Sequence, residues 1–144
     1  MTDPPNTATL LFIAHRAAET QIFEALRSAG FDDLTVAQCR IVQRLSPRGI
    51  RVTDLAEQAQ VTKQTAGALI DELERSGYVV RTTDPADARA RLITLSVRGE
   101  KLCAAAAAEV AKVEDEWRAH VGPEAYRRLR EMLMSLREIT DPYR

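Results

Sequence analysis

From Asn6 to Ala29 the apolar residues Leu10, Ile13, Ala14, Ala17, Ala18, Ile22 and Leu26 recur mostly three and four apart. That spacing draws one broad stripe along a helix, and Gly30 is placed to end it. Thr35 followed by Gln38 has capping-box spacing, which predicts a second helix through about Leu45. Ser46-Pro47-Arg48-Gly49 then breaks it. Thr53 stands where it could cap a third helix holding Leu55, Ala56 and Ala59, with Asp54 near the positive end of the dipole. Gln60-Val61 leaves room only for a tight turn before Thr62, the expected cap of a fourth helix. Ala66, Leu69, Ile70 and Leu73 follow at i, i+3, i+4 and i+7, and Gly77 closes the run. Two short helices joined this tightly form a helix-turn-helix.

The period then changes. Tyr78-Val79-Val80-Arg81-Thr82-Thr83 and Arg91-Leu92-Ile93-Thr94-Leu95-Ser96 are rich in β-branched residues, and Asp84-Pro85-Ala86-Asp87 between them supplies a turn. A hairpin directly after a helix-turn-helix is a wing. Helical spacing returns with Leu102, Ala106, Val110, Val113 and Trp117. Gly122-Pro123 interrupts, and Leu129, Leu133 and Leu136 resume the stripe, flanked by Met132 and Ile139. The run Ala104–Ala108 reads as a strong helix former that permits close helix packing. The fold class expected is mainly α (α+β): a winged helix-turn-helix with helical dimerisation elements at both ends. By role, the chain divides into 1–34 (first dimerisation helix), 35–98 (winged lobe) and 99–144 (last dimerisation helices). The recognition helix is expected at about 62–76 and the wing at about 78–96.

Charge refines the picture locally rather than globally. The net charge of −1 over 144 residues gives nucleic-acid binding no support by itself. Arg40, Arg44, Arg48 and Arg51, however, lie in a stretch without an acid, and Arg75 to Lys101 carries six cations against Asp84, Asp87 and Glu100. A solvated surface would explain such clusters as readily as a DNA-facing one. No apolar run approaches the roughly 20 residues that span a bilayer. The N-terminus lacks the pattern of a secretory signal, and Cys39 and Cys103 are too few for a disulfide framework. A reduced, cytoplasmic protein is therefore expected.

Three segments together carry a family likeness. Val52-Thr53-Asp54-Leu55-Ala56 with Val61-Thr62-Lys63-Gln64-Thr65 is similar to the helix-turn-helix of the multiple-antibiotic-resistance regulator (MarR) family. Leu69 to Val79 resembles its recognition helix entering the wing. Asp84-Pro85-Ala86-Asp87-Ala88-Arg89-Ala90-Arg91, continued by Leu95, Ser96 and Gly99, resembles its wing signature. The resemblance implies a homodimer built from the first and last two helices, consistent with their wide apolar stripes. Its partners would be double-stranded DNA with a palindromic operator and a small aromatic ligand, and its function that of a repressor released by the ligand.

Physical roles follow for the residues of that face. Thr62 and Lys63 sit at a helix N-terminus, which favours a phosphate. Gln64 and Thr65 can reach base edges, Gln64 with the bidentate geometry that suits adenine, and Gly67 permits close approach. Arg89 at the wing tip suits a narrow minor groove, with Asp87 placed to hold its guanidinium as the resemblance also implies. Arg81 and Arg91 are phosphate contacts or solvated strand residues. Many relatives carry arginine where this chain has Ala68 and Ala88, which puts its affinity and target sequence in question.

Other classes fare worse. His15 and His120 belong to no nucleophile or metal motif, no glycine-rich phosphate loop is present, and neither an enzyme, a metal site nor a cofactor is expected. Cys39 and Cys103 lie among apolar neighbours, and the first helix lacks the cysteine of the family's peroxide sensors, so a redox-responsive regulator ranks below a ligand-responsive one. A metal-responsive regulator ranks lower still for want of a ligand pair. A winged helix that binds protein rather than DNA is a further alternative, opposed by the intact Asp87 and Arg89. By analogy with relatives, Phe12, His15, Arg16 and Arg40 could line an aromatic ligand site, although a core or surface position suits each of them better.

Overall fold

Residues 3–143 are described by the structure, a computed structural model. They form α1 (Thr7–Ser28), α2 (Val36–Val42), β1 (Ile50–Arg51), α3 (Val52–Ala59), α4 (Lys63–Arg75), β2 (Val79–Asp84), β3 (Asp87–Leu95), α5 (Val97–Val121) and α6 (Pro123–Thr140). The architecture is a winged helix-turn-helix with long flanking helices. Two compact units are present: a lobe, Ile22–Ala107, and an arm made of the described residues on either side of it. The units part inside α1 and α5, whereas the division by role at 34/35 and 98/99 follows the ends of elements.

The lobe closes over one core. Leu26, Leu34, Ile41, Val42, Leu55, Ile70, Leu73, Tyr78, Val79, Ile93 and Leu102 are buried together. Thr35 opens α2 with a complete capping box, its hydroxyl accepting from the Gln38 amide while the Gln38 side chain accepts from the Thr35 amide. α2 ends at Val42, earlier than its spacing predicts, because the amides of Arg44 and Leu45 turn back to the carbonyls of Ile41 and Val42, one residue short of helical bonding. The sheet is antiparallel in the order β1-β3-β2. β1 has no counterpart in the sequence reading, since two residues have no period to detect. Its pairing with Leu92 and Ile93 draws Arg51 into the sheet, so that Arg51 is the N-cap of α3 and Thr53 lies within the first turn.

The junction of α4, the wing and α5 is the most closely interlocked part of the lobe. α4 ends in a Schellman motif: the Tyr78 amide donates to the Leu73 carbonyl and Gly77 to Glu74, with Gly77 at φ +82° where a side chain would be strained. Ser96 closes the other side. Its amide donates to the Tyr78 carbonyl, its hydroxyl donates to the Gly77 carbonyl, and the same hydroxyl caps α5 by accepting from Gly99. A Cβ on Gly99 would stand 2.1 Å from the Tyr78 carbonyl oxygen, so only glycine fits there. The buried Tyr78 donates its hydroxyl to Asp33, and Arg98 lies 4.2 Å over its ring while also pairing with Asp33 at 3.0 Å. Burial pushes the Asp33 carboxyl up, but the Tyr78 and Arg98 donors outweigh it and hold it below the usual carboxylate range.

The arm contrasts with this. Val113 and Tyr126 are buried, Tyr126 donating to Glu114 at 3.0 Å with Arg118 over its ring at 5.0 Å. Gln21 reaches from α1 to Glu109 and Glu116 on α5, at 3.3 Å each. Every other residue from Pro123 to Thr140 is exposed. That exposed set includes the whole predicted stripe Leu129, Met132, Leu133, Leu136 and Ile139.

Candidate nucleic-acid interface

α3 and α4 pack through Leu55 and Ala56 on one side and Ala66, Ile70 and Leu73 on the other. The i, i+4, i+7 spacing of the last three puts them on one face, which leaves the first turn of α4 facing outward. Between the helices, Gln60 takes the left-handed conformation at φ 58° and Val61 donates back to the Ala56 carbonyl. Thr62 is the expected cap: its hydroxyl accepts from the Thr65 amide at 3.0 Å and donates to the Thr65 hydroxyl at 2.9 Å. Lys63, Gln64 and Thr65 are exposed, and the Lys63 ammonium and Gln64 amide meet no partner among the described residues. Gly67 is half-buried, yet a Cβ there would touch nothing within 4 Å.

The wing is the β2–β3 hairpin, closed by the two-residue turn Pro85-Ala86, with a register slip between Thr83 and Asp84. β3 begins at Asp87, four residues before the strand that the sequence suggests: Asp87 pairs with Asp84 and Arg91 with Thr83, so residues 88–90 run between two rungs despite the low β-propensity of Ala88 and Ala90. Arg89 and Arg91 stand exposed on β3, and neither guanidinium has a partner among the described residues.

Two of the expected roles are corrected. Asp87 does not hold the Arg89 guanidinium. Its carboxylate accepts from the Arg89 backbone amide at 3.0 Å, which is a local turn bond. Arg81 is not directed outward: it donates to Asp71 at 2.6 Å and Glu74 at 2.7 Å, tying β2 to the outer face of α4. The carboxylate that sequence reasoning missed is Asp84. One oxygen accepts from the Ala86 amide at 2.9 Å, and the other takes the Arg51 fork at 3.0 and 2.7 Å. Those bonds, the amide of Ala86 foremost, hold its carboxyl below the usual range. No local signal links Arg51 to Asp84, because 33 residues separate them.

A model of the MarR family matches residues 32–90. Over 132 residues the chain is 31% identical to the HTH-type transcriptional regulator FarR of Neisseria gonorrhoeae, covering 91% of this chain and 88% of that one. The chain belongs to the MarR family of transcriptional regulators. It is also 36% identical over 86 residues to the transcriptional regulator HosA of Escherichia coli O111:H-, a match that spans 59% of this chain and 64% of that relative's length. Among solved structures, the MarR family protein Rv2887 of Mycobacterium tuberculosis, in complex with salicylic acid, is similar with a TM-score of 0.69 and 27% identity, covering 94% of this chain and 99% of that one.

Within this MarR-family chain the candidate ligand residues are divided. Phe12, His15 and Arg16 are exposed on α1 in the arm, with the Arg16 guanidinium 5.6 Å from the Phe12 ring and His15 3.7 Å from Glu19. Arg40 belongs to α2 in the lobe, where its carbonyl accepts from Arg44 at 2.7 Å. Cys39 and Cys103 are half-buried and pack against the core of the lobe. Burial, with Glu100 nearby, pushes the Cys103 thiol up, away from the thiolate that a peroxide sensor needs. Among the described residues, no group of three His, Cys, Asp or Glu is placed to hold a metal ion. No described helix is long and apolar enough to cross a membrane.

Proposed function

We propose that the chain is a homodimeric repressor that binds a palindromic operator through α4 and the wing and leaves it when a small aromatic ligand binds. The observation that carries this reading is the set of unpartnered polar groups on one lobe: Lys63 and Gln64 at the start of α4, Arg89 and Arg91 on β3. Arg81 and Arg51, by contrast, are held in ion pairs. In this reading Lys63 and the first amides of α4 take a phosphate, with Thr62 fixing the turn by its cap. Gln64 and Thr65 meet base edges, and Arg89 enters the minor groove beside them. Arg91 adds a phosphate contact.

The second copy covers the arm. Met132 is 60% exposed and Ile139 84%, on a helix whose inward-facing aromatic, Tyr126, is already satisfied. A stripe of this kind is hidden most simply by its twofold mate. For the ligand, the salicylic acid held by Rv2887 supports an aromatic carboxylate, which Arg16 and His15 could receive beside the Phe12 ring.

The test is a titration of the wild type, Arg89→Ala and Gln64→Ala on operator and scrambled DNA across a salt series. Arg89→Ala is expected to weaken operator binding by at least about tenfold, while Gln64→Ala chiefly relaxes the preference for operator. Binding of all three falls with rising salt because phosphate contacts carry most of the affinity. Wild-type affinity for Arg89→Ala at every salt concentration would refute the wing role.

A further inference from the structure

β1 and β2 are the two edges of the sheet, with β3 between them. Arg51 on β1 nevertheless bonds Asp84 on β2, so its side chain passes across β3 to join both edges. Both ends of this link are at informative places. Arg51 is the residue from which α3 starts. Asp84 is the last residue of β2, where the ladder loses register, and its second oxygen fixes the tip turn at Ala86. The Asp84 side chain is only 11% exposed, which limits the screening that makes most surface ion pairs weak. At the final rung Asp84 pairs with Asp87, and Arg51 is the cation on which the charges of both carboxylates act. Arg89 stands two residues beyond that rung with its guanidinium unpartnered.

We infer that Arg51 and Asp84 are positioning residues for DNA reading: their cross-sheet fork locks the wing tip to the start of the helix-turn-helix and so sets where Arg89 meets the groove. The inference rests on the wing role given to Arg89 above, but the lock itself can be judged without DNA. Without Arg51 the tip has a two-residue turn, the local bonds of Asp84 to Ala86 and Asp87 to Arg89, and an irregular ladder, none of which ties it to the rest of the lobe. An arginine that must enter a narrow groove loses affinity if its base wanders. A merely stabilising ion pair would instead act on folding and on all DNA alike.

The experiment combines backbone ¹⁵N relaxation of the free protein with a double-mutant cycle on duplexes whose flanks are A·T-rich or G·C-rich. Arg51→Gln is expected to lower the order parameters of residues 86–90 while α4 stays unchanged. It should also reduce the preference for A·T-rich flanks by about tenfold, the size of effect of losing one groove-reading arginine. In an Arg89→Ala background the same substitution should change the flank preference no further. Arg51→Lys, which keeps the charge without the fork, should fall between. Unchanged order at the tip in Arg51→Gln would overturn the lock outright, whatever Arg89 does. Loss of order with additive effects of Arg51→Gln and Arg89→Ala would overturn positioning, because Arg51 would then act on DNA by itself. Flank preference unaffected by Arg89→Ala would instead refute the wing role, leaving the relaxation data to decide the lock.

Discussion

The lobe and the arm are built from the same kind of residues and finish in different states. In the lobe, Leu55, Ile70, Leu73, Tyr78 and Ile93 have no exposure at all, and the carboxylates that approach the core, Asp33 and Asp84, are each held by an arginine. In the arm, α6 carries five large apolar residues along one stripe and buries none of them. A chain that satisfies one unit so completely and leaves the other open has divided its tasks. The lobe closes over a core of its own, while α6 of the arm leaves its apolar stripe exposed, which the proposed dimer would cover. In the proposed function, Lys63, Gln64, Arg89 and Arg91 on the lobe meet DNA, and the apolar stripe of the arm meets a second copy.

The contrast breaks most severely if the arm is poisoned. Leu133→Glu puts a charge in the middle of the exposed stripe without touching the lobe, so sedimentation should report a monomer whose lobe still melts cooperatively. Affinity for a palindromic operator should drop by at least about a hundredfold, the avidity lost when two linked sites become one. A Leu133→Glu protein that remains dimeric would mean that the stripe is not the association surface.

Gly99→Ala attacks the lobe instead. With a backbone oxygen 2.1 Å from the new methyl, α5 must shift away from Tyr78, and a loss of about 3 kcal/mol in denaturant unfolding is expected, at the upper end of overpacking costs. A smaller loss, below about 1 kcal/mol, would show that the junction yields more easily than its bonding implies.

Gly67→Ala separates the demands of folding from those of function. Nothing in the protein lies near the position, and a mid-helix glycine costs about 0.5–1 kcal/mol relative to alanine. The substitution should therefore raise stability by that amount and weaken operator binding, because the open space is where DNA would approach. Higher stability with unchanged binding would remove Gly67 from the interface. Smallest of all is the effect expected from replacing Cys39 and Cys103 together by serine: no change in the DNA-binding response to peroxide. Peroxide-triggered release by the wild type that vanishes in the double variant would restore the redox reading.

Much of the fold is legible in the sequence, for reasons that differ by element. The capping box at Thr35 and Gln38, the cap at Thr62 and the stop at Gly77 are local chemistry, so three or four residues suffice to announce them. The stripe Ala66, Ile70, Leu73 announces α4 because burial on one face requires that spacing. The residues proposed for the interface, Lys63, Gln64, Thr65 and Arg89, stand out through their positions on those elements. What was missed is what joins distant segments. Arg51 with Asp84 and Arg98 with Asp33 are separated by 33 and 65 residues, and only the closed sheet and core bring them together. The ion pairs of Arg81 are hidden from the sequence for a similar reason: its acids, Asp71 and Glu74, lie three apart on α4, a helical spacing that faces β2 only once the hairpin folds back. Asp87 bonds the Arg89 backbone amide, and the carboxylate that does hold a guanidinium, Asp84, holds that of Arg51; the wing motif fixes residue types and leaves open which atoms meet.

The division of labour between lobe and arm meets its most direct test in a hydroxyl-radical footprint on genomic DNA selected with the purified protein. Two lobes held by one twofold arm should protect two equivalent patches about one helical turn, ~10 bp, apart, with A·T-rich sequence outside each recognition-helix contact. A single asymmetric patch of one half-site, bound with full affinity, would contradict the account.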